Sequence, residues 1–188
     1  MLAVHSALRE FVRLLDEAVE SGREDECCRR VKRVLEEFLP AHADLLTEAQ
    51  SRPCAEKYAR HLVHRDPKGR YSVLAMIWGV GQGTPLHSHA GMWCVECVYR
   101  GHIRVNSYSL VGSEEAPVVR FEHEREVLAG LGDAGALIPP FDYHTIHNAD
   151  GTPSTTIHVY GGDMSWCYAF EPVDGGYRRV RRDLKCTE

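Results

Sequence analysis

The sequence predicts a mainly β protein with a helical N-terminal segment, and two observations support this fold class. Up to Pro40, apolar residues recur at the spacing of amphipathic helices. From Arg70 onward the stretch YSVLAMIWGV is rich in β-branched and aromatic residues, and turn residues recur through the rest of the chain. A helical segment packed on a β-barrel is the simplest architecture that accommodates both parts.

Two amphipathic helices are predicted before the strands. In the first, five apolar residues share helical spacing: Leu8, Phe11, Val12, Leu15 and Val19. Gly22 is a typical helix stop. The second helix repeats the pattern from Cys28 to Phe38 and ends at Pro40. A third, shorter helix is expected over residues 43–49.

Seven further strands are predicted between turn residues, over residues 93–99, 102–110, 118–122, 136–139, 154–160, 165–171 and 177–184. The last of these lies in the strongly basic stretch YRRVRRDLK, residues 177–185. Its alternation and its single location favour a solvated edge strand protected by charge over a patch that binds nucleic acid.

Length and composition restrict the domain count and the function class. With 188 residues we expect one domain, in which residues 1–55 form the helical segment and residues 56–188 the barrel. A net charge of -5 disfavours a general nucleic-acid binder. No apolar run approaches the roughly 18 residues that span a bilayer. Seven cysteines without framework spacing, and no apolar signal segment, favour free thiols in a reducing cytoplasm.

The stretch GQGTPLHSHAGMWCVECVYRG contains two candidate metal ligands, His87 and His89. In a strand, side chains at i and i+2 share a face, so these two imidazoles can converge on a metal ion. Two ligands rarely suffice, and the segment PPFDYHTIHNAD offers His144 or His147 as the third. The alternative is that His87 and His89 are surface histidines on an edge strand.

The surroundings of these histidines resemble the two motifs of the cupin superfamily. Gly81, five residues, His87-x-His89, four residues, Cys94, six residues and Gly101 resembles the first motif, although a glutamate usually stands where Cys94 stands. The segment from Pro139 through His144 to Asn148 resembles the second. This resemblance implies a cupin jelly-roll β-barrel that holds a metal, which is a closed all-β architecture.

The residues before the first motif resemble the cysteine dioxygenase family of thiol dioxygenases, which carries Tyr-x-Arg-x-Leu-Val there. Four residues match that pattern: Tyr58, Arg60, Leu62 and Val63. Further on, IHVY and CYAF match the family's His-x-Tyr segment and the cysteine strand that follows it. The resemblance implies a non-haem Fe(II) held by His87, His89 and His144. It favours His144 over His147 because the family keeps an Asn four residues after its ligand, as Asn148 stands here.

The implied reaction converts L-cysteine and O2 to cysteine sulfinic acid. Three neutral imidazoles leave the full charge on the metal, which favours an anionic substrate thiolate. Arg60 would clamp the substrate carboxylate with Tyr58 beside it, since a guanidinium offers a two-point fork; the alternative is a surface ion pair. Two other functions stay open: oxidation of 3-mercaptopropionate or another small thiol such as cysteamine, and a non-catalytic metal-binding cupin that serves as a sensor.

The family also positions a phenol near its iron with a Ser-His-Tyr row. Thr156, His158 and Tyr160 share one strand face by their spacing, with Thr156 in place of the serine, so the resemblance implies that they are catalytic. The alternative is that these residues only line the interior of the barrel. Cys167 matches a cysteine near the substrate pocket, or is a buried small hydrophobe.

Cys94 is a candidate for a covalent cross-link. In animal members of the family the cysteine at its position is joined by a thioether to the tyrosine that matches Tyr160. The alternative is that Cys94 is a small buried hydrophobe beside Trp93, and Cys97 lies close by in sequence. Residues 161–163 read Gly-Gly-Asp where the animal members carry Ser-Pro-Pro, which leaves the shape of the pocket open.

Overall fold

The structure is a computed structural model that describes residues 2–20 and 22–187. Within these residues two α-helices precede the strands: α1 (Leu2–Val19) and α2 (Glu24–Phe38), followed by short 3-10 turns at Leu39–Ala41 and Ala49–Ser51. The first strands are β1 (Ala59–Arg65), β2 (Ser72–Trp78), β3 (Leu86–His87), β4 (Cys94–Arg100), β5 (Ile103–Val111) and β6 (Arg120–Ala129). The later strands are β7 (Ala134–Leu137), β8 (Tyr143–Asn148), β9 (Ser154–Tyr160), β10 (Trp166–Val173) and β11 (Gly176–Asp183).

The strands form two antiparallel sheets that share a core. The five-stranded sheet has the order β1-β2-β9-β4-β7, and the six-stranded sheet has the order β11-β10-β3-β8-β5-β6. Leu74, Met76 and Val98 of the first sheet pack with Ile146 and Cys167 of the second in one buried cluster. The predicted fold class, a mainly β barrel with N-terminal helices, is confirmed.

The two helices cover the outer face of the five-stranded sheet. Phe11 of α1 and Leu35 of α2 are fully buried against Val73, Val95 and Val159 of that sheet. A side chain of this size contributes about 1.5–3 kcal/mol when it is fully buried. Because helices cover one face and the barrel interior covers the other, β2 is buried along its whole length. This two-sided burial explains the continuous apolar run SVLAMIW.

The prediction of a third helix over residues 43–49 is wrong. Residues 43–48 form turns and bends, and only residues 49–51 form a 3-10 turn. Leu45 and Leu46 are buried, but the Leu45 N–H donates to Tyr99 Oη at 3.1 Å and the Tyr99 hydroxyl donates to the His42 carbonyl at 2.9 Å. These contacts with β4 replace the hydrogen bonds of a helix.

The predicted strands differ from the observed ones mainly at their ends. Residues 154–160 match β9 as predicted, whereas β6 runs over Arg120–Ala129 and is longer than the predicted 118–122. β1 and β8 lie outside the predicted strands. The basic strand β11 lies at the edge of its sheet, as expected.

No disulfide joins the seven cysteines, all of which lie among the residues that the structure describes. No helix in the described part of the chain is both long and apolar enough to cross a membrane.

Candidate metal centre and substrate cavity

Three histidines converge on the inner side of the six-stranded sheet. His87 on β3 and His144 on β8 are direct register partners, with 3.2 Å between their Nε2 atoms. His89 follows β3, and its ring centroid lies 5.1 Å from that of His87 and 5.0 Å from that of His144. One nitrogen of each ring lies within 4.8 Å of the other two. The structure therefore brings together the three residues that the sequence motifs indicated.

His147 faces away from this cluster. Alternation along β8 directs His144 inward and His147 outward, where His147 is exposed. Its ring covers Gly83, and a Cβ at that glycine would lie 2.3 Å from His147 Cδ2. Asn148 is fixed by its hydrogen bonds, since its amide donates to the carbonyls of Trp78 and Gly79. His147 is thus a packing residue on the outside of the barrel.

Oxygen atoms lie behind the rings of His87 and His89 and orient them. His87 Nδ1 lies 3.1 Å from the Pro85 carbonyl oxygen. The buried Asp142 carboxylate accepts the backbone N–H of His89 at 2.9 Å and lies 3.3 Å from His89 Nδ1. Burial raises the pKa of Asp142, but its contacts with His89 outweigh burial and leave that pKa below its usual range. His89 Nε2 is buried and has no hydrogen-bond partner among the described residues. A bound metal ion would satisfy this nitrogen by accepting its lone pair.

The donor set fits a divalent transition metal. Burial lowers the pKa of His87 to about 3, with a smaller contribution from His89. Burial also lowers the pKa of His144 well below its usual range. Neutral imidazoles keep a free lone pair for a metal, and imidazole nitrogen suits iron among other ions of the first transition row.

The five-stranded sheet presents a polar row to the same interior. Thr156, His158 and Tyr160 of β9 are buried. Thr156 Oγ1 lies 2.7 Å from His158 Nε2, and Tyr160 Oη lies 3.3 Å from His158 Nδ1. The indole N–H of Trp78 donates to Thr156 Oγ1 at 2.9 Å. The ring centroid of Tyr160 is 5.8 Å from that of His89, so the row ends beside the three histidines.

Cys94 and Tyr160 are direct register partners on β4 and β9. Burial raises the pKa of the Cys94 thiol and of the Tyr160 phenol well above their usual values, so both groups are protonated at neutral pH. Cys97 belongs to the core cluster under the helices, on the other face of β4. Cys94 is therefore the cysteine of this strand that accompanies Tyr160 in the barrel.

A cavity of about 450 Å³ opens beside the histidines. Its walls include six residues that the sequence motifs indicated: Tyr58, Arg60, His87, His158, Tyr160 and Cys167. The Tyr58 ring stacks on Trp78 with 4.7 Å between centroids. Burial raises the pKa of Cys167 to about 11. The cavity thus joins a candidate metal ligand, two residues of the polar row and the candidate carboxylate clamp in one space.

Arg60 lies on β1 and is only 5% exposed. Its Nη2 donates to the Met164 carbonyl at 3.0 Å, and its Nε is buried without a partner. Among residues 2–20 and 22–187 no carboxylate forms an ion pair with it. Its burial contradicts the interpretation of Arg60 as a surface ion-pair residue.

Glu96 is a site residue that the motifs missed. It is 5% exposed and pairs across the sheet with His158. Its Oε1 lies 3.7 Å from His144 Nδ1 and its Oε2 lies 3.6 Å from His158 Nδ1. Burial raises the pKa of Glu96 to about 8. The signal was a glutamate inside the apolar strand WCVECVY, two residues from Cys94 and hence on the same face.

Two glycines shape the strand end after Tyr160. A Cβ at Gly161 would lie 2.3 Å from Trp93 Nε1, and the Gly161 N–H donates to the Trp93 carbonyl at 2.9 Å. Gly162 has a φ of +149°. The indole of Trp93 therefore fills the space in which a residue with a side chain would stand at position 161.

The antiparallel double-sheet barrel and its inward histidines define a cupin-type protein with a candidate metal site. Within that class, the chain belongs to the cysteine dioxygenase type I family, whose model matches residues 49–172.

Curated relatives and solved structures show how distant the similarity is. The chain is 21% identical over 125 residues to cysteine dioxygenase type 1 of Homo sapiens and 22% identical over 129 residues to that of Rattus norvegicus. Each match covers 66% of this chain and 60% of the relative, so the chain matches about 60% of the length of these relatives.

Among solved structures, the TT1209 protein of Thermus thermophilus aligns with a TM-score of 0.48 and 21% identity, covering 61% of this chain and 92% of that one. A Klebsiella pneumoniae protein with a double-stranded β-helix domain aligns with a TM-score of 0.48 and 17% identity, covering 62% and 83%.

Proposed function

We propose that this protein is an Fe(II)-dependent thiol dioxygenase that converts L-cysteine and O2 to cysteine sulfinic acid. One observation carries the proposal: His87, one member of the three-histidine cluster, and the buried Arg60 line the same cavity. A cavity with a candidate metal at one wall and a cation at another suits a small thiol that also bears a carboxylate.

His87, His89 and His144 would hold the iron, which supplies O2 activation when bound. His87 borders the substrate cavity, whereas His89 and His144 are more deeply buried. The protein's own contribution is to orient the thiol and to exclude water. The walls formed by Met76, Trp78 and Ile146 serve the second purpose.

Arg60 recognises the substrate carboxylate. A buried N–H without a partner costs about 1–3 kcal/mol, and a carboxylate in the cavity would accept from Arg60 Nε. The planar guanidinium favours a two-point contact. Cysteine and 3-mercaptopropionate both carry this carboxylate and cysteamine does not, so 3-mercaptopropionate is the second candidate substrate. The two acids differ in the amine, which cysteine would add to its sulfur as a second metal-binding group.

The polar row holds a proton near the reacting atoms. The Thr156 hydroxyl accepts from Trp78, and its own hydrogen has no acceptor other than His158 Nε2 among the described residues. This bond leaves His158 with its hydrogen on Nδ1, facing Tyr160 Oη at 3.3 Å. Tyr160 then keeps its phenolic proton for the cavity, consistent with a pKa that burial raises.

The register of Cys94 against Tyr160 supports a thioether between Sγ and the phenol ring. Its formation breaks one S–H and one C–H bond and forms one S–C bond, and O2 accepts the two hydrogens with their electrons. Such a cross-link would fix the position of the phenol.

Oxygen consumption by the Fe(II)-loaded protein tests the proposal, with cysteine, 3-mercaptopropionate and cysteamine as substrates and mass spectrometry of the sulfinic acid product. We expect the two carboxylated thiols to be oxidised fastest. Metal binding without O2 uptake for any thiol would favour the sensor function instead.

The variant Arg60→Ala sharpens that test. Loss of a charge-assisted bond costs about 1.5–3 kcal/mol, so kcat/KM for the carboxylated thiols should fall by roughly ten- to a hundred-fold. Cysteamine turnover should hardly change. An equal loss for all three thiols would assign Arg60 to the fold rather than to the substrate.

A further inference from the structure

Glu96 is a buried acidic residue next to the histidine cluster and the polar row, and it is a member of neither. It lies on the inner face of β4, opposite His158 of β9. The basic side chains within 4.0 Å of the Glu96 carboxyl oxygens in the described residues are limited to two imidazoles, those of His144 and His158. A buried carboxyl group whose oxygens lack hydrogen-bond partners is costly, so its position needs an explanation.

The location of Glu96 excludes it from the ligand set. The Nε2 of His144 faces His87 Nε2 at 3.2 Å, and this is the side on which the three histidines converge. Glu96 Oε1 lies behind the ring, 3.7 Å from Nδ1. A histidine that binds a metal through one nitrogen commonly donates its other N–H to a carboxylate, which fixes the tautomer and the ring orientation.

Two of the atoms involved have no hydrogen-bond partner among the residues that the structure describes. His144 Nδ1 and Glu96 Oε2 are both buried and unpartnered. The 3.7 Å between His144 Nδ1 and Glu96 Oε1 exceeds a normal hydrogen bond by about half an ångström. A small rotation of either side chain therefore pairs the ring N–H with the carboxylate and satisfies the nitrogen.

We propose that Glu96 is a positioning residue for the metal centre. Its carboxylate accepts the Nδ1–H of His144 and so holds Nε2 as the metal-binding nitrogen. Its other oxygen lies 3.6 Å from His158 Nδ1, which links this metal ligand to the row that ends at Tyr160. The inference rests on the metal site of the proposed function, and not on the identity of the thiol.

A second cavity makes the inference testable by chemical rescue. Glu96 lines a space of about 260 Å³ at the part of the barrel formed by β4, β5, β6 and β7. Arg125 and Asp133 also line it, and the substrate cavity does not include any of these three residues. Removing the Glu96 side chain would extend this space toward His144, and formate is small enough to occupy it.

The test uses Co(II) titration of the metal-free protein without thiol or O2, and it follows affinity and the visible ligand-field spectrum. For Glu96→Ala we expect Co(II) binding about 10- to 100-fold weaker with a shifted spectrum. Glu96→Gln should lie between this variant and wild type, because its amide oxygen still accepts from His144. Formate should restore part of the affinity of Glu96→Ala. Glu126→Gln, on β6 and exposed, is the matched control and should bind like wild type.

Unchanged Co(II) affinity and spectrum in both Glu96 variants would overturn the inference. A second pair of results would also overturn the inference. If the metal-free Glu96→Gln protein had a melting temperature well below that of wild type, and formate did not change the Co(II) affinity of Glu96→Ala, Glu96 would serve the fold alone. Wild-type protein that binds Co(II) but oxidises no thiol would refute the proposed function and leave the role of Glu96 standing.

Discussion

The two sheets of the barrel supply different chemistry to one cavity. The six-stranded sheet brings His87 and His144 into register, and oxygen atoms behind the rings hold the cluster. The five-stranded sheet supplies hydroxyl, phenol and imidazole groups that bond mainly to one another, as Thr156 does with His158. The candidate metal ligands and the polar row therefore lie on different sheets, and Glu96 of the five-stranded sheet is the proposed link between them. Variants of Thr156 or Tyr160 in the polar row should therefore leave metal binding intact, whereas variants of Glu96 should not.

The largest effect is expected from a ligand of the six-stranded sheet. His144→Ala removes one of three nitrogen donors and should weaken iron binding by more than about 100-fold, the upper effect of losing an outer partner alone. Metal analysis after purification measures this loss. His147→Ala is the matched control from the same strand, and its iron content should equal that of wild type. Retained iron in His144→Ala with loss in His147→Ala would make the assignment of the third ligand wrong.

The next effect concerns the five-stranded sheet. Tyr160→Phe removes the phenolic proton donor, and general acid catalysis contributes about 100-fold or more, so kcat should fall by about that factor. Iron content should stay at the wild-type level. Tyr108→Phe on β5 is the control. Loss of iron in Tyr160→Phe would contradict the separation of the proposed metal ligands from the polar row.

A third prediction concerns stability instead of turnover, and it involves the hydrogen bonds and ion pairs of Asp66, Arg70 and Asp16 at the rim of the five-stranded sheet. The Asp66 carboxylate accepts from the Arg70 backbone N–H at 2.9 Å and from Arg70 Nε at 2.7 Å, and Arg70 also pairs with Asp16 of α1. The Arg70 guanidinium holds the pKa of Asp66 well below its usual range. Asp66→Asn should lower the free energy of unfolding by about 1–3 kcal/mol at neutral pH.

The pH dependence of this network has a definite sign. Because the folded-state pKa of Asp66 lies below the unfolded value of about 3.9, its contribution is present above that value and is lost as pH falls through the folded pKa. Chemical denaturation between pH 7 and pH 3 should show a shallower decline for Asp66→Asn than for wild type. Asp163→Asn, in an exposed pair with Arg65, should shift stability by less than about 0.5 kcal/mol. If the free energy of unfolding of wild type and of Asp66→Asn fell in parallel with pH, the Asp66 carboxylate would not be the cause of the loss of stability in acid.

The smallest effect on turnover is expected from Cys94→Gly. If the thioether forms, wild-type protein after turnover contains a fraction lighter by two hydrogens, with a peptide linking the segments of Cys94 and Tyr160 that survives reduction. Cys94→Gly should abolish that species and keep substantial dioxygenase activity, since the thiol is not a proposed ligand. A linked peptide that disappears with dithiothreitol would be a disulfide. No linked peptide after prolonged turnover would eliminate the cross-link.

The sequence motifs were most informative where spacing alone determines geometry. The i, i+2 rule placed Thr156, His158 and Tyr160 on one face of a strand whose bounds were predicted correctly. The choice of His144 over His147 came instead from the family resemblance, through the Asn that stands four residues after His144. Helical periodicity likewise located α1 and α2, because each buries one continuous apolar stripe.

Prediction failed where long-range contacts decide the conformation. Residues 43–49 contain helix formers, yet the bond from Leu45 to Tyr99 holds them in turns. The expectation that three imidazoles leave the full charge on the metal did not include the Asp142 carboxylate behind His89 or the Glu96 carboxyl group behind His144. Neither contact follows from local spacing, because the partners lie 53 and 48 residues apart along the chain.

The segment that follows β11 has a consequence for association between chains. Thr187 accepts the Arg60 N–H through its hydroxyl at 2.9 Å and donates its own N–H to the Arg60 carbonyl at 2.7 Å. These bonds occupy the free edge of β1, where an unpaired strand would otherwise invite another chain. Leu184, Lys185 and Thr187 also form part of the cavity wall. A second chain that added a strand at Arg60 would have to displace this segment and breach the cavity, so edge pairing at β1 and an enclosed substrate exclude each other.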